Sequence, residues 1–322
     1  MYAKLLMEPA IVAPAGRPTG LGIERRRNLE AQEFARCHLR PRRPVVLTDA
    51  MREWQALRVF TPNFFHQRFG NVPVWQQGHS IALGAAIDQQ LAASREKPGY
   101  YSCTLADCTE LLAFVTPRPA CSLPSRHMQV PQGAFAGSHH VEILFGAPGG
   151  LFSSPRRDML QRHLWMTQVY GEREITLYEP GQEHRLYVDA RCPWQSNARD
   201  IEDHAACPSL RQARSHRIVM RPGDALFVPC GFWYAARDLS MNISVVFDQI
   251  EAGNWNDFIE AAAAAQYRSD HRLRALAYSA VLRALGPLLR TAEWLGAGRA
   301  LDWGHDGSSG WKAARRCTAH RL

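Results

Sequence analysis

Residues 217–248, RIVMRPGDALFVPCGFWYAARDLSMNISVVFD, decide how the rest of this chain is interpreted. Two runs rich in strand-forming residues, 225–229 and 242–247, flank a Cys-Gly corner at 230–231. A Pro-Gly-Asp turn at 222–224 precedes the first run, and its glycine can take the positive φ that a tight turn needs. The stretch therefore predicts a hairpin-like β segment.

Three aromatic residues, Phe232, Trp233 and Tyr234, follow the corner directly. In an antiparallel barrel such a corner lies near the open mouth, which is a common place for a ligand site. The sequence therefore predicts a pocket beside the corner.

The same stretch resembles the last third of the JmjC-type, cupin-like oxygenases. The shared pattern is Pro-Gly-Asp, an apolar triplet, Pro, any residue, Gly, two aromatics and a later Asn-Ile-Ser-Val-Val-Phe. A second block is similar to the entry segment of that family: a strand at 43–50, Trp54, a helix opened by Thr61 and Pro62, and a strand at 72–75.

The resemblance covers residues 40–250 and implies a mainly β fold with flanking helices. That fold is a double-stranded β-helix of the cupin or jelly-roll type, followed by a C-terminal helical segment. Local patterns add a helix over 24–36, an amphipathic helix over 105–114 and a hairpin over 163–180. Residues 181–215 resemble a variable insertion that carries substrate contacts in the family.

Four parts of the chain follow from this interpretation. We expect an N-terminal arm and helix over 1–40, the barrel domain over 41–250, helices over 251–295 and a flexible tail over 296–322. In the family such terminal helices often pair two subunits, so a homodimer is one alternative. The other is that they cover the barrel of their own chain.

The charge balance favours an acidic partner without identifying it. The 322 residues carry 38 Lys and Arg against 30 Asp and Glu, a net charge of +8. The arginines lie in small clusters, and no DNA- or RNA-binding motif is present, so direct nucleic-acid binding is not expected.

The cysteines and the hydropathy of the chain predict a cytoplasmic protein. The eight cysteines are scattered without a CxxC pair, which favours reduced thiols. Glu8 and Pro9 interrupt the only apolar run near the N-terminus, and no run approaches the ~18 apolar residues of a membrane helix. We therefore expect neither secretion nor a membrane partner.

The resemblance implies that an iron site has lost its histidines. The family holds iron(II) with His-x-Asp/Glu at the end of one strand and a distant His. Here Arg156 stands at the first His position, Asp158 at the carboxylate and Tyr234 at the distal His. A shorter loop would place the pair at Asp158 and Leu160, again without an imidazole. A guanidinium cation and a phenol with a pKa of about 10 are poor ligands of iron(II).

Further positions follow from the same resemblance. Arg173 corresponds to the basic residue that binds the far carboxylate of the co-substrate, and it can hold an anion bidentately. Val246 replaces an asparagine often found near the co-substrate. We also expect Arg156 to pair with Asp158 on one strand face, which would make Asp158 structural. The expected pocket consists of Arg156, Leu160, Trp165, Phe232, Trp233 and Val246.

Three functions stay open at this point, and enzymatic activity is undecided. The first is a pseudo-oxygenase without a cofactor that binds a small molecule, peptide or protein partner in the pocket. The second is an active Fe(II)- and 2-oxoglutarate-dependent hydroxylase with displaced ligands. The third is metal-free catalysis with Tyr234 as general acid and Asp158 as base. The displaced ligands would come from Asp158 and from His139, His140, Glu142 and His163.

Overall fold

Two facing β-sheets form the centre of the molecule. A computed structural model describes residues 22–76, 79–92, 103–105, 109–115, 141–149, 151–198, 200–268, 279–287 and 291. Within these residues, one sheet has seven strands, a second has four, and a separate two-stranded sheet lies near the N-terminal helices. The predicted mainly β fold with flanking helices is confirmed.

The strands, numbered along the chain, are short to moderate in length. They are β1 (Arg25–Arg26), β2 (Val45–Leu47), β3 (Pro73–Gln76), β4 (His79–Ala82), β5 (Cys103–Leu105), β6 (Val141–Gly146), β7 (Leu151–Arg156), β8 (His163–Tyr170), β9 (Arg173–Tyr178), β10 (Ser215–Met220), β11 (Ala225–Val228), β12 (Trp233–Asp238) and β13 (Asn242–Gln249).

Helices precede and follow the sheets. The α-helices are α1 (Ala31–Phe34), α2 (Ala56–Val59), α3 (Pro62–Phe69), α4 (Leu83–Ala92) and α5 (Trp255–Arg268), with a π-helical turn at Ala35–Leu39, 3-10 turns at Thr109–Val115 and Pro208–Gln212, and further helix at 279–287. None of the helices in the described part of the chain has the length and apolar character needed to cross a bilayer.

The order of the strands is that of a jelly roll. The large sheet has the order β1-β2-β11-β8-β13-β6-β5 and the small sheet the order β10-β9-β12-β7. From β6 to β9, and again from β10 to β13, successive strands alternate between the two sheets. Each turn in these segments therefore crosses from one layer to the other, which closes the two sheets around a shared interior.

Two glycine turns cross between the sheets instead of closing hairpins. The turn at Gly171 (φ +65°) joins β8 to β9, and the turn at Gly223 (φ +98°) joins β10 to β11. The hairpins predicted over 163–180 and 217–248 are therefore wrong in their pairing, although their strands are present. A Cβ at Gly171 would also collide with the carbonyl oxygen of Met241, so this position needs glycine for space as well as for φ.

Two predicted helices form only in part: α1 begins at Ala31 and continues into the π-helical turn, and a 3-10 helix covers Thr109–Val115, while the first residues of each predicted helix lie in strands. Over 24–36 the chain first forms β1, because Arg25 and Arg26 pair in parallel with Val46 and Leu47 of β2. Over 105–114 the first residue belongs to β5, which pairs with β6, and a 3-10 turn follows. In both places pairing with a distant strand takes up only the first residues of the predicted helix.

The main hydrophobic core lies on the outer face of the large sheet. Trp165 of β8 is fully buried there, with its ring 5.2 Å from that of Phe227 and 5.5 Å from that of Phe34 in α1. Phe65 of α3 packs edge-on against Phe145 of β6 at 4.9 Å. The N-terminal helices therefore cover one face of the large sheet and leave its other face towards the small sheet.

The C-terminal helices pack on their own chain. Asn254 Oδ1 accepts a hydrogen bond from the Glu251 amide at 2.7 Å, and α5 begins at the next residue. The Trp255 indole donates to the carbonyl of Leu282 at 3.0 Å, which fastens residues 279–287 to α5. The four-part division of the chain and a homodimer through these helices stay predictions.

Removal of the cap of α3 is expected to lower the free energy of unfolding by about 1 kcal/mol. Thr61 Oγ1 accepts a hydrogen bond from the Phe64 amide at 3.2 Å, and Pro62 opens the helix as the sequence predicts. Thr61→Ala leaves that amide without its cap. Urea denaturation should detect the loss, and Thr48→Ala on the exposed surface is the control that should change stability less. Equal effects of the two variants would contradict the capping role.

Candidate functional site

A cavity of about 150 Å³ lies between the two sheets and is called here the inter-sheet cavity. Its walls come from strands of both sheets, and much of the lining is aliphatic. The charged and polar residues on its walls, apart from Tyr234, are Glu142, Arg156, Arg173, Thr167, Gln168 and Ser244. A second cavity of about 210 Å³, the adjoining cavity, shares Glu142, Tyr234 and Val246 with it.

Arg156 and Tyr234 are direct neighbours across two paired strands. β7 and β12 are antiparallel, and Arg156 is the register partner of Tyr234. Residues directly opposite in such a pair have Cβ atoms roughly 5 Å apart, so both side chains reach the same part of the cavity. The two positions where the resemblance implies lost histidines are therefore brought together.

Asp158 is held by Arg162, and the expected pairing with Arg156 is wrong. Arg162 donates from Nη2 to Asp158 Oδ2 at 2.8 Å and from Nε to Oδ1 at 3.1 Å. Asp158 Oδ1 also accepts the amides of Leu160 at 3.0 Å and Arg162 at 2.9 Å. The turn after β7 is thus held together by the Asp158 carboxylate, and both oxygens of this carboxylate accept hydrogen bonds.

The same guanidinium bridges to a second carboxylate. Arg162 Nη1 donates to Asp248 Oδ2 in the last strand of the large sheet. The side chains of Arg162, Asp158 and Asp248 are only 14%, 10% and 5% exposed. Burial alone would lower the pKa of Arg162, but Asp158 and Asp248 raise it well above its ordinary value. Arg162 is therefore a permanent internal cation between two carboxylates.

Arg173 reaches the cavity but shares its charge with a partner. Its Nε donates to Asp238 Oδ1 at 2.6 Å, and both side chains are at most 5% exposed. The pair links register partners of β9 and β12. The charge of Arg173 is thus largely compensated inside the protein, which weakens its attraction for an anion.

The hydroxyl of Tyr234 keeps its proton at neutral pH. Burial raises the pKa of Tyr234 to about 12, Arg156 opposes the shift, and Asp158 and Glu142 add to it. A neutral phenol is a hydrogen-bond donor and acceptor here and a weak ligand for a divalent cation.

Alkaline titration should report this environment of Tyr234. Because its pKa is raised from about 10 to about 12, its contribution to stability is full below about pH 10 and is lost as the pH rises through about 12. Tyr234→Phe should therefore lose less free energy of unfolding over this range than the wild type, measured by urea denaturation. Tyr170→Phe, at a side chain that is 38% exposed, is the control. An unchanged alkaline slope in Tyr234→Phe would contradict the assignment.

Four residues expected in the pocket are absent from the walls of the inter-sheet cavity. Trp165 faces the outer core and donates from Nε1 to Gln249 Oε1 at 2.9 Å. Trp233 faces outward to the segment between β9 and β10, where the Arg157 guanidinium lies 4.8 Å from its ring centroid. Leu160 packs near α5, and Phe232 packs among the interior side chains without lining the cavity. Adjacent strand residues face opposite sides, so Tyr234 turns in where Trp233 turns out.

Of the residues considered as displaced iron ligands, Glu142 lies on the cavity walls and His163 does not. Glu142 lines both cavities, whereas His163 lies on the outer face of β8. His163 Nδ1 accepts the Cys230 amide at 3.0 Å and Nε2 faces Glu251 Oε1 at 3.3 Å. Burial lowers the pKa of His163, which makes it a neutral packing residue. The other two candidates, at positions 139 and 140, lie outside the described residues.

The donor set on the described walls does not fit iron(II). Arg156 is a cation, Tyr234 is a neutral phenol and both oxygens of Asp158 are engaged by Arg162 and backbone amides. Across the ranges that the structure describes, no three or more His, Cys, Asp or Glu side chains are grouped so that they could hold a metal ion.

Sequence reasoning missed the polar residues on β8 and β13. Ser244 Oγ donates to Gln168 Oε1 at 2.8 Å, and Thr167 Oγ1 donates to the carbonyl of Val245 at 2.6 Å. The available signal was spacing, because Ser244 lies two residues before Val246 and shares its strand face. Arg162 was missed because its second partner is distant in sequence.

Comparisons with known proteins identify the family. A family model described as the cupin-like domain matches residues 79–247, more than half of the chain. This chain therefore belongs to the cupin-like family of JmjC type.

Three curated relatives are similar to parts of the chain. Lysine-specific demethylase 8 of Danio rerio is 33% identical over 110 residues, covering 33% of this chain and 26% of that protein. Lysine-specific demethylase 8 of Xenopus tropicalis is 24% identical over 233 residues, covering 67% and 50%. The mouse (Mus musculus) 2-oxoglutarate and iron-dependent oxygenase JMJD4 is 20% identical over 114 residues, covering 35% and 27%. The chain thus spans half or less of the length of these relatives.

Proposed function

We propose that this protein is a non-oxidative member of its family that binds a small ligand in the inter-sheet cavity. The observation that carries this proposal is the cross-strand pair of Arg156 and Tyr234 at the positions where the resemblance expects imidazoles. Neither side chain is a suitable iron(II) ligand at neutral pH. On this proposal the barrel keeps its pocket and has no resident metal.

The bridge through Arg162 supports the same function. The Arg162 guanidinium, which is bonded to Asp158 and Asp248, partly compensates these two buried carboxylates without a metal ion. Removing Asp158 from this bridge to coordinate a cation would leave Arg162 with one buried partner fewer, which is costly. Asp158 is for the same reason a poor general base, and metal-free catalysis by Tyr234 and Asp158 is not part of the proposal.

The size of the cavity favours a small molecule over a peptide. A space of about 150 Å³ accommodates a ligand about as large as benzene. A peptide or protein partner would have to bind outside it, across the adjoining cavity.

The cytoplasm is the proposed location. Cys37, Cys192, Cys207 and Cys230 are free thiols, which suits a reducing compartment.

Turnover of 2-oxoglutarate tests the proposal against its rival, an active hydroxylase with displaced ligands. The protein is purified under argon, supplied with iron(II), ascorbate, 2-oxoglutarate and limited oxygen, and assayed for succinate by NMR. We expect no succinate above a protein-free control. Stoichiometric formation of succinate that is lost in Glu142→Gln or His140→Asn would overturn the proposal and establish the rival.

A further inference from the structure

We propose that the inter-sheet cavity binds a small, uncharged molecule whose one polar group is a primary carboxamide, held between Tyr234 and Glu142. The amide oxygen accepts a hydrogen bond from the Tyr234 hydroxyl, and the amide N–H donates to the Glu142 carboxylate. The proposal rests on the proposed function, because it requires a cavity that works without a metal. It adds the chemical class of the ligand, which the family membership does not supply.

Tyr234 and Glu142 reach the same place from opposite sheets. Tyr234 lies on β12 of the small sheet, and Glu142 lies on β6 of the large sheet. Both side chains line the inter-sheet cavity and also the adjoining cavity, so they lie at the junction of the two. A group placed at that junction is therefore held from both sides.

The protein itself uses neither of these polar groups. Within the described parts of the chain, no hydrogen bond or ion pair involves the Tyr234 hydroxyl or the Glu142 carboxylate. Burial, with a contribution from the Glu142 charge, raises the pKa of Tyr234 to about 12, so the phenol keeps its proton at neutral pH. A phenol can donate, and a carboxylate only accepts. The junction thus presents one donor and one acceptor.

A primary carboxamide carries the complementary pair. Its oxygen accepts and its N–H donates, so it can satisfy Tyr234 and Glu142 together without bringing a net charge into the cavity. An amidinium ion pairs with Glu142 but leaves the Tyr234 O–H without an acceptor, and a carboxylate ion meets Glu142 with a like charge. Either ion would also lose its water shell in a space with much aliphatic lining.

The rest of the cavity favours a hydrocarbon body for the ligand. The hydroxyls of Thr167 and Ser244 donate to protein acceptors, and Gln168 Nε2 donates to the carbonyl of Tyr170 at 2.8 Å. These donors are therefore already used. The aliphatic surface comes from Leu144, Met166, Ile175, Met220 and Val246. A ring about the size of benzene fills this part of the cavity.

Four benzene derivatives of matched shape test the class of ligand. Unfolding of the full chain is followed in buffer with EDTA and benzamide, acetophenone, benzoate or benzamidinium. Benzamide has the donor and the acceptor, acetophenone has only the acceptor, and the other two carry a charge. We expect benzamide to raise the Tm by about 2 °C or more at saturation and the other three to raise it less. A larger shift with any of the other three, or no shift with benzamide, would overturn the proposal.

Two variants assign the two hydrogen bonds. Tyr234→Phe removes only the hydroxyl and should weaken benzamide and acetophenone alike, by roughly 5-fold or more in calorimetric titrations. Glu142→Met removes the acceptor and should weaken benzamide about 10-fold or more. Acetophenone should bind this second variant unchanged, because it has no N–H to donate. An equal loss of both ligands in Glu142→Met would contradict the assignment.

Matched controls change the same residue types at exposed positions. Tyr170→Phe and Glu53→Met should leave the affinity for benzamide unchanged, since these side chains are 38% and 63% exposed. The Tm of each variant without ligand shows that it is folded before titration. If Glu142→Met does not fold, Tyr234→Phe decides, and an undiminished affinity for benzamide in that variant refutes the proposal.

Failure of this inference is separable from failure of the proposed function. The ligand titrations contain a chelator, so they report the cavity alone. If benzamide does not bind and no succinate forms, the ligand class is wrong and the non-oxidative function stands. If succinate forms from 2-oxoglutarate, the proposed function itself is wrong.

Discussion

Replacing Arg162 with Met is expected to lower the free energy of unfolding by about 3–5 kcal/mol. The variant leaves Asp158 and Asp248 as buried carboxylates without their shared cation. Burying an uncompensated charge is among the costliest single changes in a protein interior. For a domain of this size the loss corresponds to a fall in Tm of roughly 6–20 °C, which calorimetry measures directly.

Two controls distinguish the effect of losing the Arg162 charge from the effect of losing its packing contacts. Arg52→Met removes an arginine whose side chain is 71% exposed and should leave the Tm nearly unchanged. Adding Asp158→Asn and Asp248→Asn to Arg162→Met removes the stranded charges and should recover most of the stability. If the triple variant is as unstable as Arg162→Met alone, the cost is one of packing and the bridging role of Arg162 is wrong.

Replacing both Arg156 and Tyr234 with His is expected to raise the affinity for Mn(II) by ~100-fold or more. The two positions are register partners, so the variant presents two imidazoles to the same part of the inter-sheet cavity. Mutation of residues that only hydrogen-bond to metal ligands typically changes the metal affinity by about 10–100-fold. Adding two direct ligands is therefore expected to have at least an effect of this size. Electron paramagnetic resonance of free Mn(II) under argon gives the affinity.

The single variants sharpen this test. Arg156→His and Tyr234→His alone add one imidazole each and should gain much less than the pair. Arg157→His places an imidazole at the position that packs over Trp233, outside the inter-sheet cavity, and serves as the control. A double variant that binds Mn(II) no better than the wild type would mean that these two positions do not correspond to a former metal site.

The strands and the cap of α3 were predictable because their signals are local. β11, β13 and the Thr61 cap follow from residue types within a few positions of each other. Pairing was not predictable in the same way, because the glycine turn at Gly171 has the same chemistry whether it closes a hairpin or crosses between sheets.

The site was predictable only in part for a similar reason. The resemblance to the JmjC-type family assigns Arg156 and Tyr234 to the two histidine positions, and the fold brings these residues onto one wall. Arg162 was missed because Asp248, its second partner, is 86 positions away in sequence. Trp165 and Trp233 were expected in the pocket but face outward. Strand alternation shows that neighbouring residues face opposite sides of a sheet, but the sequence alone does not show which side is the interior.

A crystal soaked with Mn(II) and 2-oxoglutarate under argon shows whether the barrel holds a metal ion at positions 156 and 234. We expect no anomalous peak for manganese beside Arg156 and Tyr234, and an Arg162 guanidinium still bonded to Asp158 and Asp248. A fully occupied manganese ion coordinated by two imidazoles inside the barrel would contradict it.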